Sequence, residues 1–149
     1  MISEEAASQI VDAIQSLDLR GRDLRREAML RLSALPEYQW SGIYRLEGDE
    51  LELDEYVGDA TDHTRIKVGV GVCGTAVAED SNQVIEDVRE LSNYLACSVK
   101  TRSEIVVLIR KGDQVLGQID IDGHTVGAFD GSDERFLTQV AETLADRWD

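Results

Sequence analysis

The sequence predicts an α+β domain: a central antiparallel sheet with N- and C-terminal helices packed on one face. Three observations carry this. Apolar residues recur at helical spacing near both ends of the chain, and the middle alternates apolar and polar residues with period two. Short glycine-containing turns also separate successive strand-like segments, so that neighbours fold back as hairpins. The 149 residues are read as one domain, 1–149, long enough to bury its own core.

Ser3 is placed to cap a first helix, with Glu4 and Glu5 in its opening turn, where the helix dipole favours negative charge. Ile10, Val11, Ile14 and Leu17 form its apolar stripe. A second helix is predicted over about residues 22–35, with Leu24, Ala28, Leu32 and Leu35 sharing a face. Pro36, which has no N–H to donate, ends it. Residues 40–46 and 50–57 flank Gly48-Asp49 and read as a hairpin. Residues 64–68 and 83–88 are short strands. Residues 103–110 and 114–122, on either side of Lys111-Gly112-Asp113, form a second hairpin. Ser132 opens a last helix, on which Phe136, Val140, Leu144 and Trp148 recur every four residues.

Charge narrows the function. Thirty acidic residues stand against 15 basic ones, a formal net charge of -15, so the chain has no excess of positive charge with which to bind nucleic acid or an anionic membrane. Twelve of the basic residues are Arg and three are Lys (Lys67, Lys100, Lys111), a balance that fits a halophilic interior, where salt screens self-repulsion. No secretion signal and no membrane-spanning run is visible, so a cytoplasmic location is expected. In that setting two cysteines are reduced, metal-bound or catalytic rather than a disulfide scaffold.

Gly69-Val70-Gly71-Val72-Cys73-Gly74 matches the G-x-G-x-x-G pattern, but a short helix over residues 75–79, cut off by Asp80-Ser81-Asn82, cannot form the crossover of a dinucleotide site. These glycines instead turn the backbone tightly and place Cys73 at a helix start. There a thiol gains thiolate character, unless Cys73 is simply a small buried hydrophobe. Asp120 and Asp122 alternate with Ile119 and Ile121, which puts both carboxylates on one face of a strand. They either face a cleft, where they can bind an ammonium group or share a proton, or form a solvated strand end. Glu104 opens the preceding strand and can join them across the hairpin. The two histidines, His63 and His124, show no recognisable metal-ligand spacing with these residues, and no metal is expected.

Together these segments resemble one family, the GAF-fold free methionine-(R)-sulfoxide reductases. The likeness runs over about residues 40–129. It rests on Trp40-Ser41-Gly42-Ile43-Tyr44, the glycine-rich run from Gly69 through Cys73 to Ala76, Ala96-Cys97, Ser103-Glu104-Ile105-Val106 and Asp120-Ile121-Asp122. The resemblance implies that Cys97 attacks the sulfur of methionine sulfoxide and becomes a sulfenic acid, which Cys73 condenses to a disulfide. A thioredoxin-type reductant then resets the pair. It also implies that Glu104, Asp120 and Asp122 hold the substrate ammonium, that one of them, protonated, hydrogen-bonds the sulfoxide oxygen, and that Trp40 and Tyr44 wall the pocket. No metal or organic cofactor is required, and a homodimer is expected. The chain departs from the family pattern in three places. His63 stands where a further cysteine is common, Ser98 follows Cys97 where Asp is frequent, and the Asp122-Gly123 end is less typical. The division of labour between Cys97 and Cys73 therefore stays open, and a non-catalytic GAF module that binds a small ligand or dimerises is the alternative.

Overall fold

The computed structural model describes residues 1–94 and 99–149. Helices α1 (Glu4–Gln15) and α2 (Gly21–Leu32) precede the hairpin of β1 (Trp40–Glu47) and β2 (Glu50–Val57). After β3 (Arg65–Lys67) come α3 (Gly71–Glu79), β4 (Gln83–Ile85) and a 3₁₀ turn at Val88–Glu90. The hairpin of β5 (Ser103–Lys111) and β6 (Gln114–Gly123) leads to α4 (Gly131–Asp146). The strands form one antiparallel sheet in the order β3-β2-β1-β6-β5-β4. Both hairpin turns carry a glycine with positive φ, Gly48 at 66° and Gly112 at 63°, a conformation that glycine adopts without steric cost.

Alternation along the strands divides the core in two. Ile43, Ile105, Val107, Ile109, Ile119 and Ile121 point to one face, where they pack against the apolar stripes of α1, α2 and α4. Tyr44, Leu51, Val106 and Leu108 point to the other, where Val72, Cys73 and Ala76 of α3 cover them. The expected layering is therefore present, with α3 as the only helix on the second face among the described residues.

Most strand ends fall within one residue of the sequence reading, and larger differences arise at α2, α3, α4 and β4. α2 stops at Leu32 rather than Leu35, because Leu35 precedes Pro36 and the proline ring disfavours a helical conformation there. The cap of α4 is Asp130, not Ser132. Its carboxylate accepts from the Ser132 N–H at 2.9 Å, while Asp133 reaches back to the Asp130 N–H at 3.0 Å, a reciprocal capping box. α3 begins at Gly71 rather than Thr75, and Val88 lies in the 3₁₀ turn rather than in β4.

One buried cation locks these layers together. Arg25 of α2 donates Nε to Asp54 Oδ2 at 2.6 Å and Nη1 to the Trp148 carbonyl at 2.7 Å, and its guanidinium lies 4.4 Å from the Trp148 ring centroid. Asp54 sits at the bulge where β2 slips against β1, which turns its side chain towards the helices. Among the described residues no helix is long and apolar enough to cross a membrane.

Candidate functional site

The sheet register builds the site. Trp40, Gly42 and Tyr44 of β1 lie opposite Asp122, Asp120 and Gln118 of β6, which in turn lie opposite Glu104, Val106 and Leu108 of β5. All nine point to the face covered by α3, because each strand steps two residues at a time. Glu104, Asp122 and Trp40 thus form one row across the three central strands, and Asp120 sits one row below.

Burial decides between the two sequence readings of these acids. Glu104, Asp120 and Asp122 are 3%, 0% and 1% exposed, so they are not a solvated strand end. Among the described residues neither oxygen of Asp120 has a hydrogen-bond partner of ordinary geometry. Burial pushes the Asp120 carboxyl above the usual carboxylate range, and the nearness of Glu104 and Cys73 offsets part of that rise. Three carboxyl groups brought together in a buried place favour a cation or a proton between them.

α3 brings Cys73 to this cluster. Cys73 is the third residue of the helix, buried, with Sγ 3.9 Å from Glu104 Oε2. Gln118 Nε2 donates to the Cys73 carbonyl at 3.0 Å and ties the first turn of α3 to β6. The glycines around Cys73 serve this approach. A Cβ on Gly74 would lie 2.4 Å from the Lys67 carbonyl oxygen, so only glycine lets the helix sit this close to β3. No dinucleotide-type crossover follows, as the short helix indicated.

The aromatic wall is held by its polar edges. Trp40 donates Nε1 to the Asp59 carbonyl at 3.0 Å and stacks on Tyr56 with centroids 5.6 Å apart. Tyr44 donates its hydroxyl to the His63 carbonyl at 2.8 Å and lies 6.5 Å from the Trp40 ring. The indole covers Gly42, where a Cβ would come within 2.4 Å of Trp40 Cη2. Gly42→Ala is therefore expected to displace the indole and raise KM for a ligand of this site by on the order of tenfold. Steady-state kinetics check this, and an unchanged KM would mean that Trp40 does not line the binding space.

Trp40, Tyr44, Cys73, Glu104, Asp120 and Asp122 thus converge on one face. Cys97 lies outside the described residues, on the segment between the 3₁₀ turn and β5. His124 is exposed and is not part of the Cys73, Glu104 and Asp120 cluster. Gln118 was not singled out by the sequence reading, and Gly42 entered it only as part of the Trp40–Tyr44 segment. Period-two alternation from Asp120 and from Trp40 points to both.

Comparison with known proteins gives four concordant findings. A GAF domain profile matches residues 23–149. Protein YtsP of Bacillus subtilis is 42% identical over 113 residues, 74% of this chain and 69% of that protein. The free methionine-R-sulfoxide reductase of Escherichia coli is 39% identical over 121 residues, 81% of this chain and 73% of the enzyme. Among solved structures, the free methionine-R-sulfoxide reductase of Neisseria meningitidis in complex with its substrate superposes with a TM-score of 0.87 at 29% identity, over 99% of this chain and 92% of that one.

Proposed function

This chain belongs to the GAF-domain family that includes the free methionine-R-sulfoxide reductases, and from that premise we propose that it reduces free methionine-(R)-sulfoxide at the expense of thiols. The observation that carries the reading is the buried carboxyl cluster of Glu104, Asp120 and Asp122 beside Cys73, in the rows that also hold Trp40.

A free amino acid brings an ammonium group, and a buried set of carboxylates is the environment that recognises one. A methionine within a peptide has no such group, so the site selects for the free amino acid. Asp120, whose carboxyl burial pushes above the usual carboxylate range, is the group that donates a proton to the sulfoxide oxygen, while Glu104 and Asp122 hold the ammonium. The Trp40 and Tyr44 rings pack against the thioether.

The chemistry then follows. The Cys97 thiolate attacks the sulfoxide sulfur, the S–O bond breaks, and the oxygen, with the proton from the carboxyl group, leaves on Cys97 as a sulfenic acid. Methionine departs with its sulfur reduced. The Cys73 thiol attacks the sulfenic sulfur, water leaves and a Cys97–Cys73 disulfide forms. A thioredoxin-type dithiol reduces that disulfide by exchange, giving up two electrons and two protons, so that it leaves as its own disulfide and Cys97 and Cys73 return to thiols.

A coupled assay with free methionine-(R)-sulfoxide, run with dithiothreitol and then with thioredoxin, tests the proposal, and turnover with both is expected. Folded protein without activity under either condition would overturn it in favour of a non-catalytic binding module. N-acetylmethionine sulfoxide, whose nitrogen carries no charge, is expected to have a kcat/KM lower by on the order of 10²-fold. Equal efficiency on the two compounds would remove the acids from the ammonium site.

A further inference from the structure

We propose that Cys73, Glu104 and Asp120 in the reduced protein form a binding site for a thiophilic divalent cation of the Zn²⁺ or Cd²⁺ class. Sγ of Cys73 and one carboxylate oxygen from each acid all lie within 4.8 Å of one another, and the sulfur is 3.9 Å from Glu104 Oε2. A tetrahedral ion with bonds of about 2.3 Å to sulfur and 2.0–2.2 Å to oxygen holds such ligands roughly 3.5 Å apart. The sulfur and Glu104 Oε2, 3.9 Å apart, are already near that spacing, and the whole set closes onto an ion by contraction from within 4.8 Å.

The second observation is Asp120 itself. It is 0% exposed, and among the described residues neither of its oxygens has a hydrogen-bond partner of ordinary geometry. Its row-mates, Gly42 and Val106, bring no side-chain donor, and the groups that act on its carboxyl are Glu104 and the Cys73 thiol, the other two members of the cluster. A buried carboxylate beside a thiol and a second carboxylate offers the donor set of a coordination sphere. Preorganisation supports the same assignment. Strand pairing fixes Glu104 and Asp120, and Gln118 holds the backbone carbonyl of Cys73 at 3.0 Å, which restrains the third ligand from outside the sphere. One thiolate with two carboxylates favours Zn²⁺ or Cd²⁺ over Mg²⁺ or Ca²⁺, which need six or more oxygens. The ligands come from α3, β5 and β6, which is why the spacing of the sequence shows no metal motif.

Cation binding stands independently of the reductase reading. That the cation also competes with an amino-acid ammonium rests on it. The test is titration of the full-length reduced protein with Cd²⁺, following the thiolate-to-cadmium charge-transfer absorption in the ultraviolet. One equivalent is expected to bind, with displacement of the thiol proton and no displacement by excess Mg²⁺. Cys73→Ser should abolish the band, Cys97→Ser should retain it, and Asp120→Asn and Glu104→Gln should each weaken binding by about tenfold or more. Circular dichroism establishes that each variant is folded, and if Cys73→Ser is not, the two carboxyl variants decide. Absence of the band, its loss with Cys97→Ser alone, or indifference to both carboxyl variants would overturn the site. Methionine should weaken Cd²⁺ binding. If Cd²⁺ binds as described and methionine does not compete, the metal site stands and the amino-acid reading falls.

Discussion

Cys97→Ser is expected to leave a folded protein whose turnover of methionine sulfoxide falls by on the order of 10⁴-fold or more, since loss of an attacking group leaves only binding and positioning. Cys73→Ser should behave differently. Its first reaction needs only Cys97 and the carboxyl groups, so about one methionine per chain forms before the sulfenic acid stalls for want of a second thiol. Counting methionine released per chain in a rapid-mixing experiment, with thioredoxin present, separates the two variants. A burst in Cys97→Ser with none in Cys73→Ser would reverse the roles of the two cysteines. Turnover at the unsubstituted rate in both would sink the thiol mechanism. The position of Cys73 supports the second role. It is buried in the first turn of α3, its carbonyl is tied to Gln118, and its sulfur faces Glu104, so it meets a species formed inside the pocket rather than one arriving from solvent.

The strands were legible because each states its burial twice, in period and in composition. Ile119 and Ile121 alternate with Asp120 and Asp122, and the structure sends the first pair to the helices and the second to the site. The same alternation could not say that the acid face is dry, since alternating Asp reads equally as a solvated edge. What makes it dry is α3, and the approach of that helix depends on Gly74 meeting Lys67, a contact between chain segments that no local pattern encodes. Helix ends were legible where sterics are local, as at Ser3, and misplaced where a side chain chose between neighbours. Asp130 caps α4 while Ser132, two residues on, donates to it. Arg25 was invisible for a related reason. An arginine in an acidic, Arg-rich chain reads as surface, and only the bulge that turns Asp54 inward and the ring of Trp148 above it make burial of its charge tolerable.

Asp120→Asn is expected to lose function and gain stability, and the sign follows from burial. In the unfolded chain the carboxyl titrates near 3.9. In the folded protein burial raises that value, so the folded state holds the proton more tightly. Between the two values the unfolded state releases its proton while the folded state keeps it, so stability falls as pH rises through that window. Above the folded value the full cost is present. Asn has nearly the same shape and no charge to desolvate, and its amide can donate to the neighbouring Glu104. At neutral pH, in chelator-treated protein so that no bound cation neutralises the wild-type carboxylate, Asp120→Asn should therefore be more stable by about 1–3 kcal/mol. That advantage should shrink as pH falls towards the unfolded value. Denaturant unfolding across pH measures it. The same change removes the proton donor to the sulfoxide oxygen, so kcat/KM should drop by on the order of 10²-fold. A variant that is less stable at neutral pH and still fully active would show that Asp120 supports the fold rather than the chemistry. Opposite movements of stability and activity would identify a charge kept in the core against the interest of folding, which is the mark of a residue retained for binding or catalysis.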